Sequence, residues 1–263
     1  FWVPPLIFDE VNALDPRKNP SFEFCEAKLW MAYKDGRAVG RIAGIINHRA
    51  NQIWNERNAR FGWLDFIDDF EVSSALFAQV ENWAKSMGMK AVQGPLGFSD
   101  MDKEGMLIEG FEELGTIATY YNHPYYPIHT EKAGYQKDVD WLEYELNAEV
   151  TVPEKFIGVG QIAQERYKLS IVQFKKKKDL LKYAHQIFEV LNESFRPLYG
   201  FAPLTDAQID YYIKMYFSFI VLDFISVVVD EHDKVAAFGI TMPSLSKAVQ
   251  KSGGKILPFG FIH

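Results

Sequence analysis

The sequence predicts a mixed α/β fold, and three observations lead there. An apolar, aromatic run at 27–33 is joined to a second at 38–47 through Lys34-Asp35-Gly36-Arg37, which is hairpin chemistry with Asp-Gly at its centre. The stretch 72–87 places Val72, Leu76, Val80 and Trp83 or Ala84 at helical spacing, between candidate strands at 60–67 and 90–93. After Pro153 the order of helices and then a polar-turned hairpin recurs, and strands alternating with helices after an antiparallel start indicate a mixed sheet.

The elements follow in order. The strand 27–33 (AKLWMAY) pairs with 38–47 (AVGRIAGIIN), and a polar segment, 49–58, leads to a third strand at 60–67 (RFGWLDFI). Glu71, Ser73 and Ser74 suit the start of the 72–87 helix, and Gly88 supplies its stop. A short strand at 90–93 closes on Gly94-Pro95. The stretch 96–122 is loop-rich, with a short helix expected near 106–113. A helix at 125–133 ends at Gly134, and 135–146 reads as a long strand. Beyond Pro153 come a strand at 168–174, an amphipathic helix at 178–195 and a helix at 205–219 opened by the capping box Thr205-Asp206-Ala207-Gln208. A hairpin, 224–230 and 235–242, turns at 231–233, and 244–251 is helical until Gly253-Gly254.

Composition narrows the class. With 263 residues, 48% hydrophobic, 24% charged and 15% aromatic, the chain is an ordinary globular protein, not a disordered, collagen-like or fibrous one. Its length points to two domains, 1–150 and 151–263. The single cysteine, Cys25, excludes a disulfide framework and a cysteine-based zinc site. The longest apolar run, near 217–222, is too short to span a bilayer, and no secretory pattern opens the chain, so a soluble, cytoplasmic protein is expected. Both ends read as cuts through a longer chain. Residues 1–150 carry 14 Lys and Arg against 24 Asp and Glu, which disfavours a phosphate-backbone partner. The one concentrated basic run, 175–178, reads as a solvated turn before a helix, with phosphate contact as the alternative.

Familiar catalytic signatures are absent: no Ser–His–Asp arrangement, P-loop, zinc spacing or dinucleotide fingerprint can be read, and Gly158-Val159-Gly160 follows no strand. His123 and His129 straddle a proline with no third ligand in view and read as hydrogen-bonding residues. Asp68, Asp69 and Glu71 read as a helix cap, so no metal is expected. Asp100, Asp102, Glu104 and Glu109 fall in the loop-rich segment, where carboxylates on a rigid scaffold could receive a cationic amine. Tyr120, Tyr121, Tyr125 and Tyr126 either line a groove and supply a proton or pack the core.

Four stretches carry a family resemblance. Residues 37–47 with 61–67, 70–87 with 90–93, 125–135 (YYPIHTEKAGY) and 94–126 together resemble the GNAT superfamily of acyl-CoA N-acyltransferases. The last is similar to a segment of a bacterial group of long GNAT-like proteins that carry a Gly-Pro, then Glu-Gly and Gly-Phe. The resemblance implies two tandem domains with mixed sheets, covering most of 1–150 and only the front of a second copy after it. It implies acyl-CoA (acetyl-CoA) as cofactor, held at a helix N-terminus between splayed strands, and attack by an amine assisted by a base and an acid.

Two departures weaken acetyl transfer by the first copy. The segment 66–74, where a basic glycine-rich phosphate loop belongs, has no glycine, Arg or Lys and holds Asp68, Asp69 and Glu71. Thr130 stands where the family's acid Tyr usually falls. The resemblance therefore places Tyr126 or Tyr121 as the acid, Glu109 or Glu104 as base or amine contact, and the backbone of Val72, Ser73 and Ser74 on the cofactor. It implies a small-molecule amine or peptide substrate and leaves a homo-oligomer open, while the acidic first half argues against a nucleic acid and the short apolar runs against a membrane. The alternative is a non-catalytic binding or structural protein on a degenerate copy of the fold.

Overall fold

The computed structural model describes residues 1–147 and 151–255, and the chain divides into two compact units. One unit comprises Phe1–Asp140, Tyr199–Ala202 and the segment from Ser244; the other comprises Trp141–Leu198 and Pro203–Pro243. The expected α/β class with a mixed sheet is what the chain adopts.

The first unit is built on a four-stranded sheet in the order β1 (Cys25–Lys34), β2 (Arg37–Asn47), β3 (Asn58–Phe66) and β4 (Ala91–Gln93). The first two junctions are antiparallel and the last is parallel. Asp35 and Gly36 both take positive φ in the β1–β2 turn, as the Asp-Gly pair requires. Helix α1 (Ile7–Ala13) precedes the sheet and α2 (His48–Trp54) interrupts it. Helix α3 (Phe70–Ser86) starts at Asp69, whose side chain accepts the Glu71 N–H, so the acidic start is a cap. It buries Val72, Leu76, Phe77, Val80 and Ala84, several of them in one cluster with Ile42, Phe61, Leu64 and Phe66 of the sheet. The Phe61 and Phe77 rings meet edge to face at 5.4 Å. Helix α4 (Tyr125–Lys132) adds Tyr126 to that cluster.

The second unit holds α5 (Glu154–Tyr167), β5 (Ser170–Val172), α6 (Lys177–Leu180), α7 (Ala184–Phe195), α8 (Asp206–Tyr216), β6 (Ile225–Val229) and β7 (Val235–Ile240). Its strands form an antiparallel sheet in the order β5–β6–β7, and Ile187 of α7 packs with Ile225, Val227, Val229 and Val235 of that sheet. The Thr205–Gln208 capping box forms in both directions. Helix α9 (Ser246–Ser252) belongs to the first unit.

Several elements differ from expectation. The long strand expected at 135–146 is absent: the residues there are irregular, and Leu142, Tyr144 and Leu146 are exposed, so their apolar alternation packs against no core. The helix expected near 106–113 is replaced by turns around Gly105 and Gly110, both at positive φ. The 178–195 helix is divided into α6, a 3-10 turn (Leu181–Tyr183) and α7. Three helices were not foreseen. Helix α2 lies in the segment read as polar, started by the Asn47 side chain accepting the Ala50 N–H at 2.8 Å and stopped by Asn55 in the left-handed region. Helices α1 and α5 bury none of their residues, so their apolar spacing is weak as a signal. Gly158 and Gly160 lie inside α5, not in a nucleotide-binding turn.

Candidate functional site

The site candidate grows from the end of β4. Only Asn58, Ala59 and Arg60 of β3 pair with it, opposite Ala91, Val92 and Gln93. The chain then turns through Gly94 and Pro95, makes one further bond from the Leu96 N–H to the Phe61 carbonyl at 2.8 Å, and leaves. Gly62 permits that crossing, since a Cβ there would stand 2.5 Å from the Leu96 carbonyl oxygen. Beyond it β3 bends at Trp63, which has positive φ, where the β2–β3 register slips between Arg41 and Ala43. β3 thus runs on to Phe66 with one edge that β4 no longer covers.

Tyrosines cover it instead. Tyr120 Oη donates to the Leu64 carbonyl at 3.2 Å, and Tyr125 Oη donates to the Phe66 carbonyl at 2.7 Å. The Phe66 N–H donates to Tyr126 Oη at 3.1 Å, and that hydroxyl lies 3.5 Å from Asp65 Oδ1. Burial pushes both the Tyr120 and Tyr126 phenols up from their ordinary value. Tyr121, by contrast, faces the loop, donating to the Phe111 carbonyl at 2.9 Å.

On the loop side of the fork sits Arg60, 3% exposed. Its Nη1 donates to the Gly97 carbonyl at 3.1 Å and its Nη2 to the Gly200 carbonyl at 2.8 Å. Its charge acts on Asp100 and Glu104, lowering the pKa of each. Burial outweighs that attraction: Asp100 is pushed up to about 6, and Glu104, with the Asp100 charge adding to burial, to about 8. Asp102 accepts the Phe98 and Ser99 N–H groups at 2.8 and 3.2 Å, yet burial still raises it to about 6. A carboxyl that exchanges its proton near neutrality, beside a fixed cation, is a competent general base or acid. Glu109 is exposed, outside this cluster.

The start of α3 does not fit a pyrophosphate. The N–H groups of Val72 and Ser73 both point to the Asp69 carbonyl, at 3.1 and 3.2 Å, and the Glu71 N–H is held by the Asp69 side chain. The nearby Lys34 ammonium is bound to Asp69 Oδ2 at 2.6 Å. Ser74 Oγ donates back to the Glu71 carbonyl. Three carboxylates and spent donors leave an anion no cradle there.

Folding also creates a constellation that sequence spacing did not reveal. His129 Nδ1 lies 2.9 Å from Ser73 Oγ and its Nε2 lies 3.0 Å from Asp68 Oδ1. Ser73 is fully buried while the Asp68 side chain is 68% exposed, the reverse of what a nucleophilic serine needs, so the trio ties α4 to the start of α3. His123 stacks on Tyr125. Among the described residues no group of three or more His, Cys, Asp or Glu could hold a metal ion, and no helix is long and apolar enough to cross a membrane.

Arg60, Gln93, Asp138 and Tyr199 were missed as site residues. Tyr199 Oη donates to Asp138 Oδ2 and, at 3.4 Å, approaches Gln93 Oε1, itself bound by Asn58 Nδ2 at 3.1 Å. Arg60 alone carried a signal, a cation placed directly before the apolar run 61–64.

Fold and site define an α/β protein whose mixed sheet is forked between β3 and β4, with tyrosines on the open edge and acids on the adjoining loop. The chain is similar over its whole length to two curated proteins. Protein YghO of Escherichia coli (strain K12) is 27% identical over 99% of this chain and 66% of its own length. A protein named Bacterial ceramide synthase, from Caulobacter vibrioides (strain NA1000 / CB15N), is 29% identical over 99% of this chain and 67% of its own. The chain therefore spans about two thirds of the length of these relatives. Among solved structures, a tandem GNAT protein from the clavulanic acid biosynthesis pathway, without AcCoA, matches with a TM-score of 0.45 at 15% identity, covering 92% of this chain and 66% of that one. No family model matches.

Proposed function

We propose that the chain is part of an acyl-CoA-dependent N-acyltransferase and that its first unit serves the acceptor amine. The observation that carries this reading is the pair of half-buried carboxyls, Asp100 and Glu104, on the loop that Arg60 holds through the Gly97 carbonyl where β4 leaves β3. The relative named a ceramide synthase supports an amine acceptor, because a ceramide is an N-acylated amino alcohol.

Acyl-CoA would supply the activated acyl group. The residues of this chain would handle the acceptor. An ammonium entering among these acids is attracted by carboxylate charge, and Glu104 takes one of its protons, freeing the nitrogen lone pair; the C–N bond would form as the thioester C–S bond breaks, the nitrogen's second proton leaving with the thiolate as free CoA thiol. The exposed Glu109 offers an outer ammonium contact. Tyr126 and Tyr121 remain candidate acids, although each hydroxyl already holds a backbone partner. The start of α3, with Val72, Ser73 and Ser74, is not where we place the donor's phosphates.

The covered edge of β3 favours a second reading, a non-catalytic scaffold for a small ligand or partner. Calorimetry of acetyl-CoA and free CoA against the full-length protein separates the two. Micromolar binding, with amide formation by mass spectrometry that falls in Glu104→Gln, upholds the enzyme; silence at millimolar ligand upholds the scaffold.

A further inference from the structure

The connection after α7 reaches the fork. Four residues of it, Tyr199–Ala202, belong to the first unit, and three consecutive ones are held by side chains of that unit. Tyr199 Oη is bound to Asp138 and approaches Gln93, the Gly200 carbonyl accepts from Arg60 Nη2, and the Phe201 carbonyl accepts from Trp54 Nε1 at 2.8 Å. Phe201 is 2% exposed, and Gly200 takes a φ of +70° that a side chain rarely adopts. An ordinary connection needs none of this. Among the described residues Arg60 donates to backbone carbonyls and to no carboxylate. A buried guanidinium is costly to desolvate, and this one directs two donors at carbonyls of two separate segments, Gly97 and Gly200.

We propose that Arg60 is a positioning residue that fixes, from one guanidinium, both the loop bearing Asp100 and Glu104 and the strap Tyr199–Ala202, and that the strap forms one wall of the acceptor site. The proposal rests on the amine-acceptor reading above. Asp100 and Asp102 oppose the ionisation of Glu104, and Arg60 favours it.

The test uses the full-length protein, carboxyl carbon NMR of Glu104, the indole N–H resonance of Trp54 and steady-state amide formation. In wild type Glu104 should titrate near 8. Arg60→Met should move that midpoint up by on the order of one pH unit and lower kcat about tenfold or more, and Arg60→Lys should return the midpoint toward wild type. Gly200→Val, which strains the strap at a positive φ, should shift the Trp54 indole signal and raise the KM for the amine roughly fivefold, a larger factor than any loss in kcat. An unmoved Glu104 midpoint in folded Arg60→Met, or a shifted indole with an unchanged KM in Gly200→Val, overturns the proposal. Should wild type form no amide with any donor, the acyltransferase reading fails by itself. The Glu104 and Trp54 resonances then still decide whether Arg60 holds both segments.

Discussion

Tyr125 Oη reaches across 2.7 Å to the carbonyl of Phe66, and so a side chain occupies a bonding position that a neighbouring strand would otherwise fill. Tyr120 does the same at Leu64 and Tyr126 at the Phe66 N–H. An uncovered strand edge invites pairing with another chain, and three phenols remove that liability while leaving the sheet forked. The arrangement explains why the aromatic cluster at 120–126 is so dense. It also means that any extended ligand pairing with this stretch of β3 must first displace tyrosines.

The first expectation follows from Tyr126. Tyr126→Phe keeps the ring against Phe66, 4.2 Å away, but leaves the buried Phe66 N–H without its acceptor. Urea unfolding should show a loss of about 1–3 kcal/mol. A variant as stable as wild type would mean that the amide finds water, and that the edge is open after all.

Much of this fold was legible in the residues and much of the site was not, for a physical reason. The β1–β2 hairpin announced itself through Asp35-Gly36, and α3 through its apolar spacing and the Asp69 cap, because each rests on neighbours a few positions apart. Tyr126 and Glu104 could be named as residue types in a suggestive segment. Their settings could not: the Tyr126 partner lies 60 residues away, and Glu104 is perturbed by Arg60. Tyr199 was invisible as a site residue because only the fold brings it to Gln93. The strand expected at 135–146 failed for the opposite reason: alternation is local, whereas a strand also needs a core to bury one of its faces, and Leu142, Tyr144 and Leu146 are all exposed.

Backbone crowding at the fork gives a second expectation. In Gly62→Ala the new Cβ meets the Leu96 carbonyl, which is main chain and cannot swing aside, so the chain after β4 must shift. A loss of about 1–3 kcal/mol is expected. Gly158→Ala in α5 is the control: nothing lies within 4 Å of the added methyl, and a helix-interior glycine replaced by alanine should gain about 0.5–1 kcal/mol. Paired chemical denaturation of the two variants checks both signs at once.

Ser73 and His129 supply a third. Each joins helices α3 and α4 through the other, and His129 also stacks on Phe66 at 5.3 Å. A double-mutant cycle of Ser73→Ala and His129→Phe should return a coupling of about 0.5–3 kcal/mol. Additive losses would show that the two side chains merely pack side by side.

Glu104 gives the last, and its sign follows from linkage. Its folded pKa of about 8 lies above the ordinary value of 4.5, so between those limits the unfolded chain loses a proton that the folded chain keeps. Raising the pH through that window therefore favours unfolding: the stability present below about 4.5 is progressively lost, and the loss is complete once both states are ionised above about 8. Asp100 and Asp102, raised to about 6, add losses of the same sign earlier in the range. Glu104→Gln removes one contribution and leaves theirs, so the difference between wild-type and variant melting temperatures isolates Glu104. That difference should change in the variant's favour as the pH rises from 5 to 8, with both curves measured in the same buffers at constant ionic strength. Parallel curves over the whole range would show Glu104 ionising as an ordinary surface carboxylate, and the acceptor site would then lack its base.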